Sequence, residues 1–274
     1  MNKYAIISSS SNLDYAPFLP LTTLFWKLVG YRTICLLTAD LMQQADKGVL
    51  EYIVRHLRSQ PDVIIHPVGN ISGFKPSTIA QVSRLAAAAV PVADDSYLLT
   101  GDADMLPFST CWFNQQDFKS RFHVFCADVY GSPSEKNFQM CYLGGSKSAW
   151  KSLMGMGDGC LDDELAGLLK RQSDHWSVDE TILAAKMKSW SSFDSCQLIA
   201  RGYPPGGYAP QRLDRGCWHL PEDLSTLIDC HSARPLTSNW GTIVRLVDHF
   251  LPDDSRALAK AYVSGLVDLI KRTS

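Results

Sequence analysis

The sequence predicts an α/β fold: a mostly parallel central sheet flanked by helices. Two observations predict it. Short apolar runs alternate with segments of helical periodicity through the first hundred residues, the pattern of strands joined by crossover helices. A chain of 274 residues, 46% of them hydrophobic, can also bury the sizeable core that such a sheet needs.

Tyr4–Ser8 reads as the first strand and runs into a polar loop, Ser8–Tyr15. Pro20 opens a helical pattern through Leu24, Phe25, Trp26 and Leu28, and Gly30 suits the position just past its end. Arg32–Thr38 is a second strand. Leu41–Arg58 is predicted as one amphipathic helix, with Val49, Tyr52, Ile53 and Leu57 on one face. Val63–Val68 is a third strand, Lys75–Val90 a helix with Pro76 in its first turn, and Tyr97–Thr100 a fourth strand. Beyond Pro107 the alternation weakens. Strands are predicted at Arg121–Val129, Gln139–Leu143, Gln197–Ala200 and Leu227–His231. Helices are predicted at Lys147–Leu153, Leu161–Arg171, Val178–Trp190, Asn239–Phe250 and Ser255–Lys271, with a turn-rich loop at Arg201–Gly207. No repeat, low-complexity tract or linker divides the chain, so the change near residue 108 reads as a boundary inside one domain, between 1–108 and 109–274.

A formal net charge of −2 and a pI near 6.4 leave no electrostatic footprint for nucleic acid or an anionic membrane. The eight cysteines are scattered without a C-x-x-C pair, so zinc-site spacing is absent, and a chain of this size does not need a disulfide framework. No apolar run reaches membrane-spanning length, and the start MNKYAIISSSSN is too short in apolar residues for a signal segment. The expectation is a soluble, cytoplasmic protein with reduced cysteines. No G-x-G-x-x-G follows the first strand, and Gly144-Gly145-Ser146-Lys147-Ser148 lacks the glycine that a phosphate-binding loop places immediately before its lysine. Binding a phosphate therefore calls for a different device.

The segment Ser96–Phe108, SYLLTGDADMLPF, offers one. Its apolar run breaks at Thr100-Gly101, and two carboxylates follow, Asp102 and Asp104, with Ala103 between them. Residues two apart on a strand leaving a sheet point to the same side. Two carboxylates aimed into one crevice suit a hard divalent cation, which keeps several waters and takes further ligands from phosphates. The same pattern is also ordinary turn chemistry, because Asp favours turns. Aspartate-nucleophile phosphatases place D-x-D after a strand too, but near the start of their domain and with Thr or Val where this chain has Leu106.

This run resembles the DXD motif of glycosyltransferases with the GT-A fold, whose sheet is Rossmann-like and mostly parallel. The resemblance implies that Asp102, Ala103 and Asp104 hold Mn²⁺ or Mg²⁺ and a nucleotide-sugar diphosphate, with residues 1–108 as the nucleotide half and 109–274 as the acceptor half. His231, in D-C-H-S-A-R-P, is similar in part to a late segment of retaining families such as glycogenin. That likeness implies His231 as a third metal ligand and Arg234 on the diphosphate, although the segment's glycine and close tryptophan are missing. A histidine closing a strand and bonded to backbone is the alternative.

Arg84 lies on the helix before the metal strand, where these enzymes carry a basic residue that contacts donor sugar or phosphate; a solvated arginine explains it equally. Cys141–Gly145 resembles their strand-to-glycine element, with Gly144 and Gly145 letting backbone approach the donor, or is an ordinary turn. Trp176–Glu180 resembles their acidic pair beneath the transferring sugar. That implies Asp179 and Glu180 as catalytic carboxylates, which stabilise an oxocarbenium-like state or accept the acceptor hydroxyl's proton. Helix-start chemistry, with Ser177 as N-cap and acids in the first turn, accounts for the same residues. Ser8, Ser9, Ser10, Asp14 and Tyr15 stand where GT-A enzymes bind uracil and ribose. Trp112, Tyr203, Tyr208 and Trp218 offer either a sugar-stacking acceptor site or core packing.

The implied activity is metal-dependent transfer of a hexose from a nucleoside-diphosphate sugar, UDP favoured, to a hydroxyl of a glycan or glycoprotein. Two alternatives stay beside it. A sugar-nucleotide pyrophosphorylase shares the Rossmann-like half but carries a G-x-G-T-R-like stretch after its first strand, which is absent here. A non-catalytic sugar-nucleotide or glycan-binding protein would lack donor turnover with Mn²⁺. The segments CYLGGSKSAW and WSVDE are also similar to small glycosyltransferases encoded by large algal viruses.

Overall fold

The computed structural model of the chain describes residues 1–45, 48–114, 121–131, 137–203 and 209–273. Strands and helices alternate through the first half: β1 (Lys3–Ser9), α1 (Leu19–Leu28), β2 (Arg32–Thr38), α2 (Ala39–Gln43), α3 (Gly48–Arg58), β3 (Val63–Val68), α4 (Pro76–Ser83) and β4 (Tyr97–Thr100). Then come β5 (Met105–Pro107), α5 (Thr110–Asn114), β6 (His123–Phe125), β7 (Leu143–Ser146), α6 (Lys147–Met154), α7 (Leu161–Leu169) and α8 (Val178–Ser189). The chain closes with β8 (Gln197–Ile199), β9 (Arg212–Asp214), β10 (Asp229–His231), α9 (Trp240–Phe250) and α10 (Asp253–Thr273).

A seven-stranded sheet runs β3-β2-β1-β4-β7-β6-β8, with β7 antiparallel to both of its neighbours and the other pairs parallel. A small second sheet orders β5-β10-β9. Successive residues of the central strands enter different cores. Ala5, Ile7, Cys35, Leu37 and Leu99 pack with α1, α3, α9 and α10, whereas Ile6, Ile34, Leu36 and Leu98 pack with α4, α6, α7 and α8. Helices on both faces explain why β2 is a continuous apolar run rather than an alternating one. β1 has β2 on one side and β4 on the other, and the crevice at such a reversal of strand order is where open α/β sheets bind ligands.

Several predicted elements shift for identifiable reasons. The long helix at Leu41–Arg58 is two helices, because Gly48 takes φ +57°, which a continuing helix cannot accommodate. The helix from Pro76 ends at Ser83 and tightens into three-residue turns, with Leu85 N donating to Val82 O and Ala86 N to Ser83 O. The strand at Arg121–Val129 stops at Phe125, since Cys126 adopts φ +57° and the chain turns. The strand placed at Gln139–Leu143 begins instead at Leu143 and runs through the glycines. There a Cβ on Gly144 would collide with the Tyr97 hydroxyl and one on Gly145 with the Phe122 ring. The turn-rich loop at Arg201–Gly207 lies mostly outside the described residues. Among the described residues no cysteine forms a disulfide and no helix is long and apolar enough to cross a membrane.

The two sheets are tied by a buried ion triad. Asp229 on β10 is fully buried and accepts hydrogen bonds from Arg201 Nη1 at 2.9 and 3.0 Å and from Arg212 Nε and Nη2 at 3.0 and 2.8 Å. Burial alone would raise its carboxyl pKa, but the two guanidiniums outweigh it and hold it at about 2. A depressed folded pKa means stability that is full above the unfolded value and is lost as pH falls through the folded one. Urea unfolding of the unaltered protein should therefore show about 2 kcal/mol lost between about pH 5 and pH 2 that Asp229→Asn does not lose. Parallel pH profiles of the two proteins would exclude this role.

Candidate active site

At the carboxyl ends of β1 and β4 lies a cavity of about 380 Å³, in the size range of small-molecule sites. The turn from β4 to β5 forms its floor and is fixed at three points. Gly101 N donates to Ile6 O at 2.9 Å, Thr22 Oγ1 to Ala103 O at 2.5 Å, and Ser232 N to Asp104 O at 2.9 Å. Glycine is required at 101 because a Cβ there would press to 2.9 Å from the Trp26 ring. Asp102 and Asp104 lie in this turn rather than on a strand, and both line the cavity.

Their surroundings differ. Asp102 is partly exposed and is gripped by Arg84 Nη1; Arg84, itself buried, also donates from Nη1 to Gly101 O at 3.2 Å and from Nη2 to Asp179 Oδ2 at 3.0 Å. The chain thus builds an Asp102–Arg84–Asp179 triad around a buried guanidinium, and Arg84 is not a solvated arginine. Burial would raise the Asp102 carboxyl, but Arg84 and then His231 bring it below the usual carboxylate range. Asp104 is 1% exposed, and its Oδ2 accepts no hydrogen bond among the described residues. Two guanidinium nitrogens and an imidazole nitrogen face that oxygen without bonding it: Arg215 Nη1 and Arg234 Nε at 3.6 Å and His231 Nε2 at 3.7 Å. Burial raises the Asp104 carboxyl, and His231 only partly offsets that. His231 Nδ1 stands 3.5 Å from Asp214 Oδ2, which fixes the ring with Nε2 toward Asp104.

A buried carboxylate oxygen with no donor is costly to leave bare, and it is the kind of atom a hard cation satisfies. Asp102, Asp104 and His231 have the oxygen and imidazole chemistry for Mn²⁺ or Mg²⁺. Among the described residues no three His, Cys, Asp or Glu side chains stand together as a group that could hold a metal ion.

Opposite the turn is the start of α8. Asp179 is buried, bonded by Arg84 and by the Glu180 backbone N–H at 2.9 Å, and its pKa is raised by burial against the pull of Arg84. Ser177 makes no side-chain cap hydrogen bond, so the acids are not explained by a capping box. Glu180 projects to the cavity mouth and accepts the Tyr130 hydroxyl at 2.9 Å on Oε1, with Oε2 at 3.1 Å. Burial raises its carboxyl, and the Tyr130 hydrogen bond pulls the other way.

The other predicted positions divide. Ser8, Ser9, Ser10 and Tyr15 line the cavity, and the Arg234 guanidinium lies 4.2 Å from the Tyr15 ring centroid, covering one face of it. Asp14 is exposed and does not line the cavity; its backbone N–H closes an Asx turn on Asn12, and Asn12 takes the lining place. Gly144 and Gly145 are corrected as well. They lie inside the sheet, where pairing with β4 and β6 sets the Tyr97 and Phe122 rings against them, and the cavity is lined instead by Gln139, Met140 and Cys141. Trp112, Tyr203 and Trp218 pack against the core; Arg201 stands over the Trp112 ring and Arg212 donates to the Tyr203 hydroxyl, so none is a free sugar platform. Tyr208 lies outside the described residues. Arg212 and Arg215 line the cavity and Asp214 faces His231, although no sequence signal singled them out; the three-residue strand β9, which carries Arg212 and Asp214 and ends just before Arg215, is too short to show a period. Tyr130 was equally hidden, one residue past the end of the strand predicted at Arg121–Val129.

No family model matches the chain, and no curated protein sequence matches it. Solved structures do. The chain is similar to the apo form of the glycosyltransferase GlyE of Streptococcus pneumoniae TIGR4, with 12% identity, a TM-score of 0.53, and coverage of 97% of this chain and 64% of that one. It is also similar to the galactosyltransferase LgtC solved with donor and acceptor sugar analogs, with 13% identity, a TM-score of 0.51, and coverage of 93% and 99%. The chain spans less than two thirds of the GlyE chain's length. Strand order, the placement of the crevice and these likenesses agree on one architecture: the chain has the GT-A fold of nucleotide-sugar glycosyltransferases.

Proposed function

We propose that this protein is a metal-dependent glycosyltransferase that moves a hexose from a nucleoside-diphosphate sugar, UDP by preference, to a hydroxyl of a glycan or glycoprotein. The observation that carries the reading is Asp104 Oδ2, a buried carboxylate oxygen without a hydrogen bond, facing Arg215, Arg234 and His231 at 3.6–3.7 Å at the carboxyl ends of the parallel strands. LgtC, which shares the fold, was solved with donor and acceptor sugar analogs.

Asp102, Asp104 and His231 would hold the divalent cation, Mn²⁺ or Mg²⁺, which when bound supplies Lewis-acid stabilisation of the departing diphosphate. Arg215 and Arg234 supply forked donors for phosphate oxygens from the other side. Ser8, Ser9, Ser10 and Asn12 offer hydroxyl and amide groups to base and ribose, with the exposed part of Tyr15 beside them. Ala103 holds the turn through its carbonyl, and Asp214 keeps the His231 ring aimed. Arg84 and Asp179 set the position of Asp102 and of the α8 start, and Glu180 accepts the proton of the attacking hydroxyl. Eight cysteines with no disulfide among the described residues suit a reducing, cytoplasmic compartment.

Calorimetric titration with UDP tests the reading. Affinity should rise at least ten-fold when Mn²⁺ is added, and Asp104→Asn should lose that gain. Asn removes a carboxylate whose burial disfavours its charge, so the variant should melt at or above the unaltered protein's temperature without metal. UDP affinity that ignores Mn²⁺, or that survives intact in Asp104→Asn, would remove the assignment.

A further inference from the structure

We propose that the sugar acceptor lies along α8, with pyranose rings stacked on Trp176 and Tyr130 and its reacting hydroxyl at Glu180. The inference deepens the donor reading above and rests on it. A second cavity, of about 550 Å³, opens beside the first, and Tyr130, Ser177 and Glu180 line both. Glu180 therefore stands where the two spaces meet. That junction is the only kind of place from which one carboxylate can reach a hydroxyl arriving from outside and a sugar held within.

Two further observations describe what the second space would accept. Trp176 is 66% exposed and Tyr130 53% exposed, the only aromatic side chains among the large exposed hydrophobics of the described residues, and both sit on the rim of the first cavity. An exposed tryptophan presents apolar area that water does not favour, and its flat face matches the axial C–H face of a pyranose. Beyond them, Ser177, Thr181, Ala184, Ala185 and Lys188 follow one another at helical spacing along one face of α8 and line the second cavity. Alanines there leave room beside the helix, while Ser177 and Thr181 supply hydroxyls. Aromatic faces next to a hydroxylated, uncongested channel are the chemistry of a saccharide of at least two rings. A lipid or a peptide helix would want a continuous apolar lining, which Glu180, Thr181 and Lys188 interrupt.

The test uses the full chain and saturation-transfer NMR with lactose, cellobiose and maltose, each with and without UDP and Mn²⁺. At least one disaccharide should bind the unaltered protein. Trp176→Ala, which removes the platform, and Ala185→Trp, which fills the channel at an exposed helix position, should each weaken that binding at least five-fold. Trp176→Phe should keep it within about two-fold, because a phenyl face still stacks. UDP affinity should be the same in all four proteins. Equal disaccharide binding in Trp176→Ala and Ala185→Trp would overturn the proposal, as would a UDP-binding protein that binds none of the three sugars. Failure of the donor reading looks different, since it shows as absence of UDP binding to the unaltered protein.

Discussion

Glu180→Gln is expected to bind UDP as the unaltered protein does and to transfer sugar at least about 100-fold more slowly, the scale of a lost general base. The substitution keeps the side chain's size and an oxygen for the Tyr130 hydroxyl, but it removes the basic lone pair. An interaction made only in the transition state lowers kcat without disturbing ground-state binding. Acidity sharpens the test. Burial raises the Glu180 carboxyl above its ordinary value, and the Tyr130 hydrogen bond draws it back. Transfer should therefore fall on the acid side as Glu180 takes up its proton. Tyr130→Phe should move that limb to higher pH, because the hydrogen bond that favours the charged form is gone. Transfer rates at several pH values on both variants check this. A Gln variant within a few-fold of the unaltered rate would return Glu180 to a helix-start role and make Asp179 the next carboxylate to examine.

Arg84→Met should cost about 3–5 kcal/mol of folding stability, the usual result of removing one partner from a buried ionic cluster. Arg84 satisfies Asp102 and Asp179 at once, from a position only 6% exposed. Its loss leaves two carboxylates facing each other with no cation between them. Combining Arg84→Met with Asp102→Asn and Asp179→Asn should recover a large part of that loss, since removing the stranded charges removes the penalty. Arg84→Lys should fall between, because one ammonium cannot fork to both carboxylates. Urea midpoints of the single and combined variants decide it. A single variant as stable as the parent would show that water already solvates the cluster.

These expectations rest on features of unequal visibility. The alternation of β1, α1, β2, α3, β3, α4 and β4 could be read from the chain because short continuous apolar runs and the 3.6-residue helical period are local properties that neighbours in sequence share. Asp102 and Asp104 were visible for a similar reason: the strand, its glycine break and both carboxylates lie within a few residues. The predicted single helix at 41–58 failed at Gly48, where a positive φ leaves no mark on hydrophobic periodicity. The strand at β7 was displaced because Gly144 and Gly145 look like a turn until Tyr97 and Phe122 are placed beside them.

By itself the sequence determined the parallel α/β half, the position of the paired aspartates just past the carboxyl end of its fourth strand, and the near-neutral net charge of the chain. Tertiary structure alone decided which charges meet. Arg84, Asp102 and Asp179 come together because β4 and α8 converge on the end of α4, and Asp104 meets Arg215, His231 and Arg234 because β5 pairs with β10 and β10 with β9. Those strands are three residues long and have no period of their own to announce them. They form where sheet pairing and the buried Asp229 triad hold them, so their contribution to the site follows from contacts distant in sequence.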